Sequence, residues 1–178
     1  ARDVSPQMPP RNRLVLLPLI SRACERACGN DDRANAAASL FFELYSAPND
    51  ELRDGIASAI VGVGEKIGSK LFDETFTTRG CLSADGIAAM RGAQRVLALH
   101  TLAEIGISSW YDSKETIVAA FERAAADPSD EVRIACSRAA ARYVAAKAPP
   151  EDVVAELENV LMTLAHDGSD EVAEESRV

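Results

Sequence analysis

Apolar positions recur at helical spacing along most of the chain. Leu52, Ile56, Ile60, Val63 and Ile67 fall three or four residues apart, and so do Val132, Cys136, Ala139 and Tyr143. At 3.6 residues per turn, such a series lies on one face of a helix with one side buried and the other wet. The same pattern, bounded by Gly, Pro, Asn and Asp, predicts helices over Leu14–Ala27, Arg33–Ser46, Lys114–Ala126 and Glu151–His166. No segment alternates β-branched and polar residues as a half-buried strand would. The fold class is therefore all-α. Two stretches interrupt the pattern. Residues 69–84 read as an irregular insertion with a short helix around Leu71–Phe76, and Gly106–Asp112 as a loop carrying Trp110 and Tyr111.

The helices come in a repeating arrangement. Pro48-Asn49-Asp50-Glu51-Leu52-Arg53 resembles Pro128-Ser129-Asp130-Glu131-Val132-Arg133, and both resemble Gly168-Ser169-Asp170-Glu171-Val172-Ala173. Asp50 to Asp130 is 80 residues and Asp130 to Asp170 is 40, so one copy belongs near residue 90. Met90-Arg91-Gly92-Ala93 stands there, ahead of another apolar helical pattern. Each copy is a turn that leads into a helix. Asp, or the residue before it, can accept from free backbone N–H groups, and the acid that follows suits the positive end of the helix dipole. Two helices per period predict about four antiparallel hairpins.

A period of 40 fits HEAT and armadillo repeats better than the shorter tetratricopeptide and ankyrin repeats. The Asp…Val-Arg…Ala pattern at the start of each second helix resembles the HEAT family in particular, over roughly residues 31–178. The resemblance implies an α–α superhelix forming a single HEAT-like repeat domain across 1–178. By the same resemblance, Asp50, Asp130 and Asp170 supply the acids of an inter-repeat ladder, and Arg53, Arg91 and Arg133 the bases. Ala173 departs from the pattern. Family members include importin-type transport receptors and the scaffold subunit of a major phosphatase, so the implied role is a non-catalytic protein–protein interaction scaffold. Alternatives are a segment of a larger HEAT protein (transport receptor, translation-control factor or proteasome adaptor) and a HEAT-like lyase-type enzyme, whose repeats are shorter.

Charge narrows the partners. Of the net −9, nearly all lies between Pro149 and Val178, where nine acids face only Arg177. An acidic surface disfavours nucleic acid and anionic membrane, and the expected partner is another protein. The run Leu14–Ile20 is too short to span a bilayer and contains Pro18. Cys24, Cys28, Cys81 and Cys136 lack redox or zinc spacing, and His100 and His166 lie far from them, so no metal or cofactor is expected. Thiols on apolar stripes point to a reducing compartment, cytoplasmic or nuclear. Gly62-Val63-Gly64 lacks the Lys and Ser/Thr of a phosphate loop and reads as a thin place in a helix where another backbone approaches.

Candidate partner contacts are few. Arg95, Arg138 and Arg142 lie on second helices, which line the inner surface of HEAT solenoids, and suit an acidic peptide. Trp110 and Tyr111 read either as an exposed anchor for a partner or as a plug between two hairpins. At the other end, only nine residues remain from Asp170 onward. Two and a half turns are short to cover a stripe of Val153, Val154, Leu157, Val160, Leu161 and Leu164. That shortfall predicts further repeats or a partner packed on the C-terminal end.

Overall fold

The computed structural model describes residues 9–27, 30–45, 49–146 and 149–177. Cys28, Ser46, Pro48 and Val178 lie outside the described residues. Every regular element among them is helical, which makes the fold all-α. The order is α1 (Pro10–Leu14), α2 (Leu17–Ala27), α3 (Asp31–Glu43), α4 (Asp50–Ile67), α5 (Ser69–Phe72), α6 (Ala84–Ala88), α7 (Gly92–Ile107), α8 (Lys114–Ala125), α9 (Asp130–Ala145), α10 (Glu151–Ala165) and α11 (Asp170–Glu175). None of the described helices is long and apolar enough to cross a membrane.

Local chemistry sets the boundaries. The helix expected over Leu14–Ala27 instead starts at Leu17, after a turn at Val15–Leu16. Pro18 is the reason: it has no N–H to give and its ring crowds the carbonyl four residues back, so a helix through Leu14 cannot continue past it. Asn30 and Asn49 cap α3 and α4, accepting from the backbone N–H groups of Arg33 (3.1 Å) and Leu52 (2.8 Å). Ser129 and Ser169 do not cap with their side chains. There the aspartate two residues earlier folds the turn: Asp127 Oδ1 accepts from Ser129 N (2.9 Å) and Asp167 Oδ1 from Ser169 N (2.8 Å). These are Asx turns, in which a short carboxylate replaces a backbone acceptor.

The helices pack in two layers. In one, α4, α7, α9 and α11 are successive neighbours; in the other, α6, α8 and α10 are. Helix α8 also packs on α7 and α9, and α10 on α9 and α11, so the layers interlock. The core between them is built from the stripes named above, with Leu52, Ile56, Val132, Cys136, Tyr143, Leu157 and Leu164 all 1% exposed or less. The N-terminal part differs from a simple hairpin, because α2 packs on both α3 and α4. In the repeat near residue 90, the first helix is only the five-residue α6.

The insertion is ordered around aromatic side chains. Helix α5 runs into a π-helical turn at Asp73–Thr77, which buries Phe72 and Phe76. Asn35 of α3 clamps it at both ends, donating to Thr75 O (3.0 Å) and accepting from Cys81 N (3.1 Å). Gly80 sits in the clamp, where a Cβ would lie 2.2 Å from Thr75 O and 2.4 Å from Asn35 Oδ1. Only glycine fits so close to another segment's backbone.

The C-terminal stripe is covered. Val153, Leu157, Val160 and Leu164 are buried against α8, α9 and α11, while Val154 and Leu161 are half-buried. Helices α8, α9 and α11 thus share the cover of this stripe. The short α11 suffices because α8 and α9 do most of the covering. The exposed apolar residue of α10 is Met162, on the opposite side.

Cys136 is a direct test of the core face. Its Sγ lies 3.3 Å from Phe121 O, and burial pushes the thiol up to about 12. Because the thiolate is the reactive form, native labelling should be at least about 100-fold slower than in urea. Labelling at the denatured rate would place α9 with the wrong face inward.

Candidate functional site

A groove of about 800 Å³ crosses the layer of α4, α7, α9 and α11. Its floor is small and apolar, from Ala93 and Val96 of α7 and Ile134, Ala135 and Ala139 of α9. Its rim is charged. Arg138 and Arg142, expected on an inner surface, line it together with Arg53, His100, Glu131 and Glu171. Equivalent positions of parallel neighbours make this order: Glu131 and Glu171 are each the second residue of their helix, and His100 and Arg138 each the ninth.

Each groove arginine is already held by a carboxylate of the chain. Arg138 makes two parallel bonds of 2.8 Å to Glu175. Arg142 Nε lies 2.6 Å from Glu104 Oε1, without hydrogen-bond alignment. Arg53 pairs with Asp50 (3.1 Å) and Asp54 (3.3 Å) of its own helix. Asp54 also meets His100 Nε2 at 3.2 Å. Burial, then the charge of Arg53, lowers the His100 pKa, so its ring is neutral at pH 7. The contacts of Arg138, Arg142 and His100 join residues 37 to 46 apart, and no local spacing in the chain announces them.

Arg95 is elsewhere. It is the fourth residue of α7, as Arg53 is of α4 and Arg133 of α9, and it forms an ion pair with Asp127 at 3.1 Å with both side chains largely buried. Arg133 makes the matching bond one repeat on, with Nε and Nη2 on the two oxygens of Asp167 at 2.8 and 2.9 Å. It also donates to Asp127 O (2.8 Å) and to Asp130 (2.8 Å). The ladder expected from the sequence thus needs correction. Its acids are Asp127 and Asp167, not Asp130 and Asp170, and its base in α7 is Arg95, not Arg91. Arg91 is the exposed N-cap residue, and its backbone N–H donates to Gln94 Oε1 (3.1 Å). Asp170 is exposed. Asp50 and Asp130 serve their own helices, bonding the arginine three residues on. Where the ladder acid of the second repeat belongs stands Ala89, so Arg53 has no rung to join and turns to Asp50 and Asp54.

Trp110 and Tyr111 plug a seam. Tyr111 is 1% exposed, and its hydroxyl meets Thr116 Oγ1 (2.7 Å), Thr77 Oγ1 (3.0 Å) and Asp73 Oδ1 (3.0 Å). Asp73 also binds the Thr77 hydroxyl, so one carboxylate ties the π-turn to the start of α8. Burial first, and the Asp73 charge later, raise the Tyr111 pKa, which keeps it a donor. Trp110 is half-buried, edge-on to Phe72 at 5.1 Å and to Tyr111 at 5.5 Å. A partner anchor must be free to be covered, and Tyr111 is not. The opening for the indole is Gly64, where a Cβ would lie 2.0 Å from a ring carbon. The thin place in α4 thus receives a side chain, not another backbone. Gly64→Ala should lower stability by about 2 kcal/mol despite alanine's helix propensity, because a packed core tolerates added carbon poorly. Urea midpoints measure this. Combining it with Trp110→Ala should cost less than the two changes summed, and strict additivity would show that the indole is not what fills the gap.

Among the described residues, no group of three or more His, Cys, Asp or Glu side chains is placed to hold a metal ion. Comparison with protein-family models, with curated proteins and with solved structures gives no match to this chain.

Proposed function

We propose that this chain is a short HEAT-like α-solenoid and acts as a non-catalytic protein–protein interaction scaffold, with the groove over α4, α7, α9 and α11 as its binding face. One observation carries the reading. The same arginine–aspartate ion pair recurs, Arg95 with Asp127 and then Arg133 with Asp167, at the same helix position in successive repeats. A contact that repeats by translation belongs to a stack in which each unit touches only its neighbours. Such stacks leave one helix layer open along its length, and here the open layer carries an apolar floor inside a charged rim. That is the anatomy of a protein-binding surface.

The test is affinity capture from cell extract, run in parallel with wild-type chain and with Ala135→Arg. Ala135 is half-buried on the groove floor, and a guanidinium there fills the groove. Partners held by the wild type and lost by a variant of unchanged thermal midpoint support the scaffold. Identical sets on both chains, or none on the wild type, overturn it.

A further inference from the structure

We infer that copies of this chain stack head to tail, the outward face of α2 on one packing against the outward face of α10 on the next. This goes beyond the groove and does not depend on it. The first ground is exposed apolar surface. Four large hydrophobic side chains stand exposed among the described residues: Val15 (72%), Leu19 (64%), Met162 (61%) and Leu40 (36%). The three most exposed lie on just two helices. Helix α2 buries Leu17, Ile20 and Cys24 against α3 and α4, which turns Leu19 outward, with Val15 in the turn just before. Helix α10 buries Val153, Leu157, Val160 and Leu164, which turns Met162 outward.

The second ground is charge, of one sign at each place. Leu19, Arg22 and Arg26 recur at helical spacing on the outward side of α2, and all three are exposed. Unlike the groove arginines, neither meets a carboxylate among the described residues, and the nearby Glu25 is half-buried and held by Lys66 at 2.6 Å. On the outward side of α10, Glu151, Ala155, Glu158 and Met162 recur in the same way, all exposed. Neither α10 nor α11 contains a lysine or arginine. A basic face with leucine and an acidic face with methionine complement each other and repel their own kind. Such a contact is heterologous, so it repeats from copy to copy and does not stop at two.

The third ground is the order of residues along each face. Set the helices antiparallel with Leu19 against Met162, and a rise of about 1.5 Å per residue brings Arg22 level with Glu158 and Arg26 between Glu158 and Glu151. A parallel setting that pairs Arg22 with Glu158 puts Arg26 against Met162. An anionic membrane would suit the α2 face but leaves the α10 face unexplained.

The experiment is sedimentation equilibrium of the full chain from about 10 μM to about 1 mM, a range suited to small transient contacts. Mean mass should rise past twice that of one chain. Two charge-reversed variants follow, Arg22→Glu/Arg26→Glu and Glu151→Lys/Glu158→Lys, with circular dichroism and thermal melting to check that each folds. Each alone should stay monomeric, because its two faces then carry like charge. Their equimolar mixture should associate again, because every face then meets the opposite sign. Leu19→Ser, a single exposed change, should weaken association about tenfold. If a reversed variant misfolds, Leu19→Ser decides, and unchanged association there overturns the inference. So does a wild type monomeric throughout, a mass that stops at the dimer, a folded reversed variant that associates as the wild type does, or a mixture that stays monomeric. A monomeric wild type that floats with phosphatidylserine vesicles, and ceases to in the arginine variant, would assign the α2 face to an anionic membrane instead.

Discussion

Arg133→Ala should cost about 3 kcal/mol, and Arg142→Ala about 1 kcal/mol or less. Both residues sit on α9 and both face a carboxylate, but only one is enclosed. Arg133 is 14% exposed and spends its donors on four acceptors, including both oxygens of Asp167, which is equally enclosed. Its removal strands a sheltered carboxylate and a carbonyl, and breaking a charge-assisted bond in such a place costs about 1.5–3 kcal/mol or more. Arg142 is 56% exposed and poorly aligned with Glu104, and pairs of that kind contribute about 0–1 kcal/mol. Urea denaturation decides, and equal midpoints would remove the ladder as a structural element.

The same contact sets a pH dependence. The Arg133 bond, helped by the Ser169 N–H, holds the Asp167 carboxyl below its ordinary 3.8, and Arg138 does the same for Glu175. A carboxyl whose folded pKa is depressed contributes stability above its unfolded value and loses it as pH falls through the folded one. Wild type should therefore weaken from about pH 5 downward, through and below 3.8. Arg133→Ala should show a shallower slope there, and the gap between the two proteins should narrow in acid.

Deleting residues 170–178 should cost about 4 kcal/mol and lower the thermal midpoint by roughly 10 °C. Helix α11 is short, but Val172 is 0% and Ala173 6% exposed against α9 and α10. Burying a valine contributes about 2 kcal/mol. The Ser176 hydroxyl donates to Ser137 Oγ at 2.9 Å, and Glu175 holds Arg138; such bonds add about 1 kcal/mol each. The exposed α9 and α10 surfaces should also promote self-association, seen by sedimentation. A monomer with an unchanged midpoint would mean that α11 covers nothing of consequence.

Matching Arg91 to Arg53 and Arg133 is wrong by four residues, because Arg95 holds the equivalent place. Four residues are about one helical turn, so the shifted match keeps every apolar residue on nearly the same face, and periodicity cannot detect the slip. What the pattern lacked was the acid: this repeat has Ala89 where the others have Asp127 and Asp167. They stand in the chain as Asp-Pro-Ser-Asp and Asp-Gly-Ser-Asp, and in each it is the first Asp, not the second, that meets an arginine of an earlier helix.

The chain by itself determined its helices, their buried faces and the recurrence of its turns. These follow from interactions within a few residues: the 3.6-residue stripe, Asn30 and Asn49 at helix starts, and Pro18 at a break. Only the tertiary structure decided which charges meet. Arg133 reaches Asp167 across 34 residues, Arg138 reaches Glu175 across 37, and Asn35 clamps an insertion 40 residues away. Whether an exposed arginine is available to a partner depends on a carboxylate brought up by another helix. No local pattern encodes that meeting, because it depends on how the layers pack.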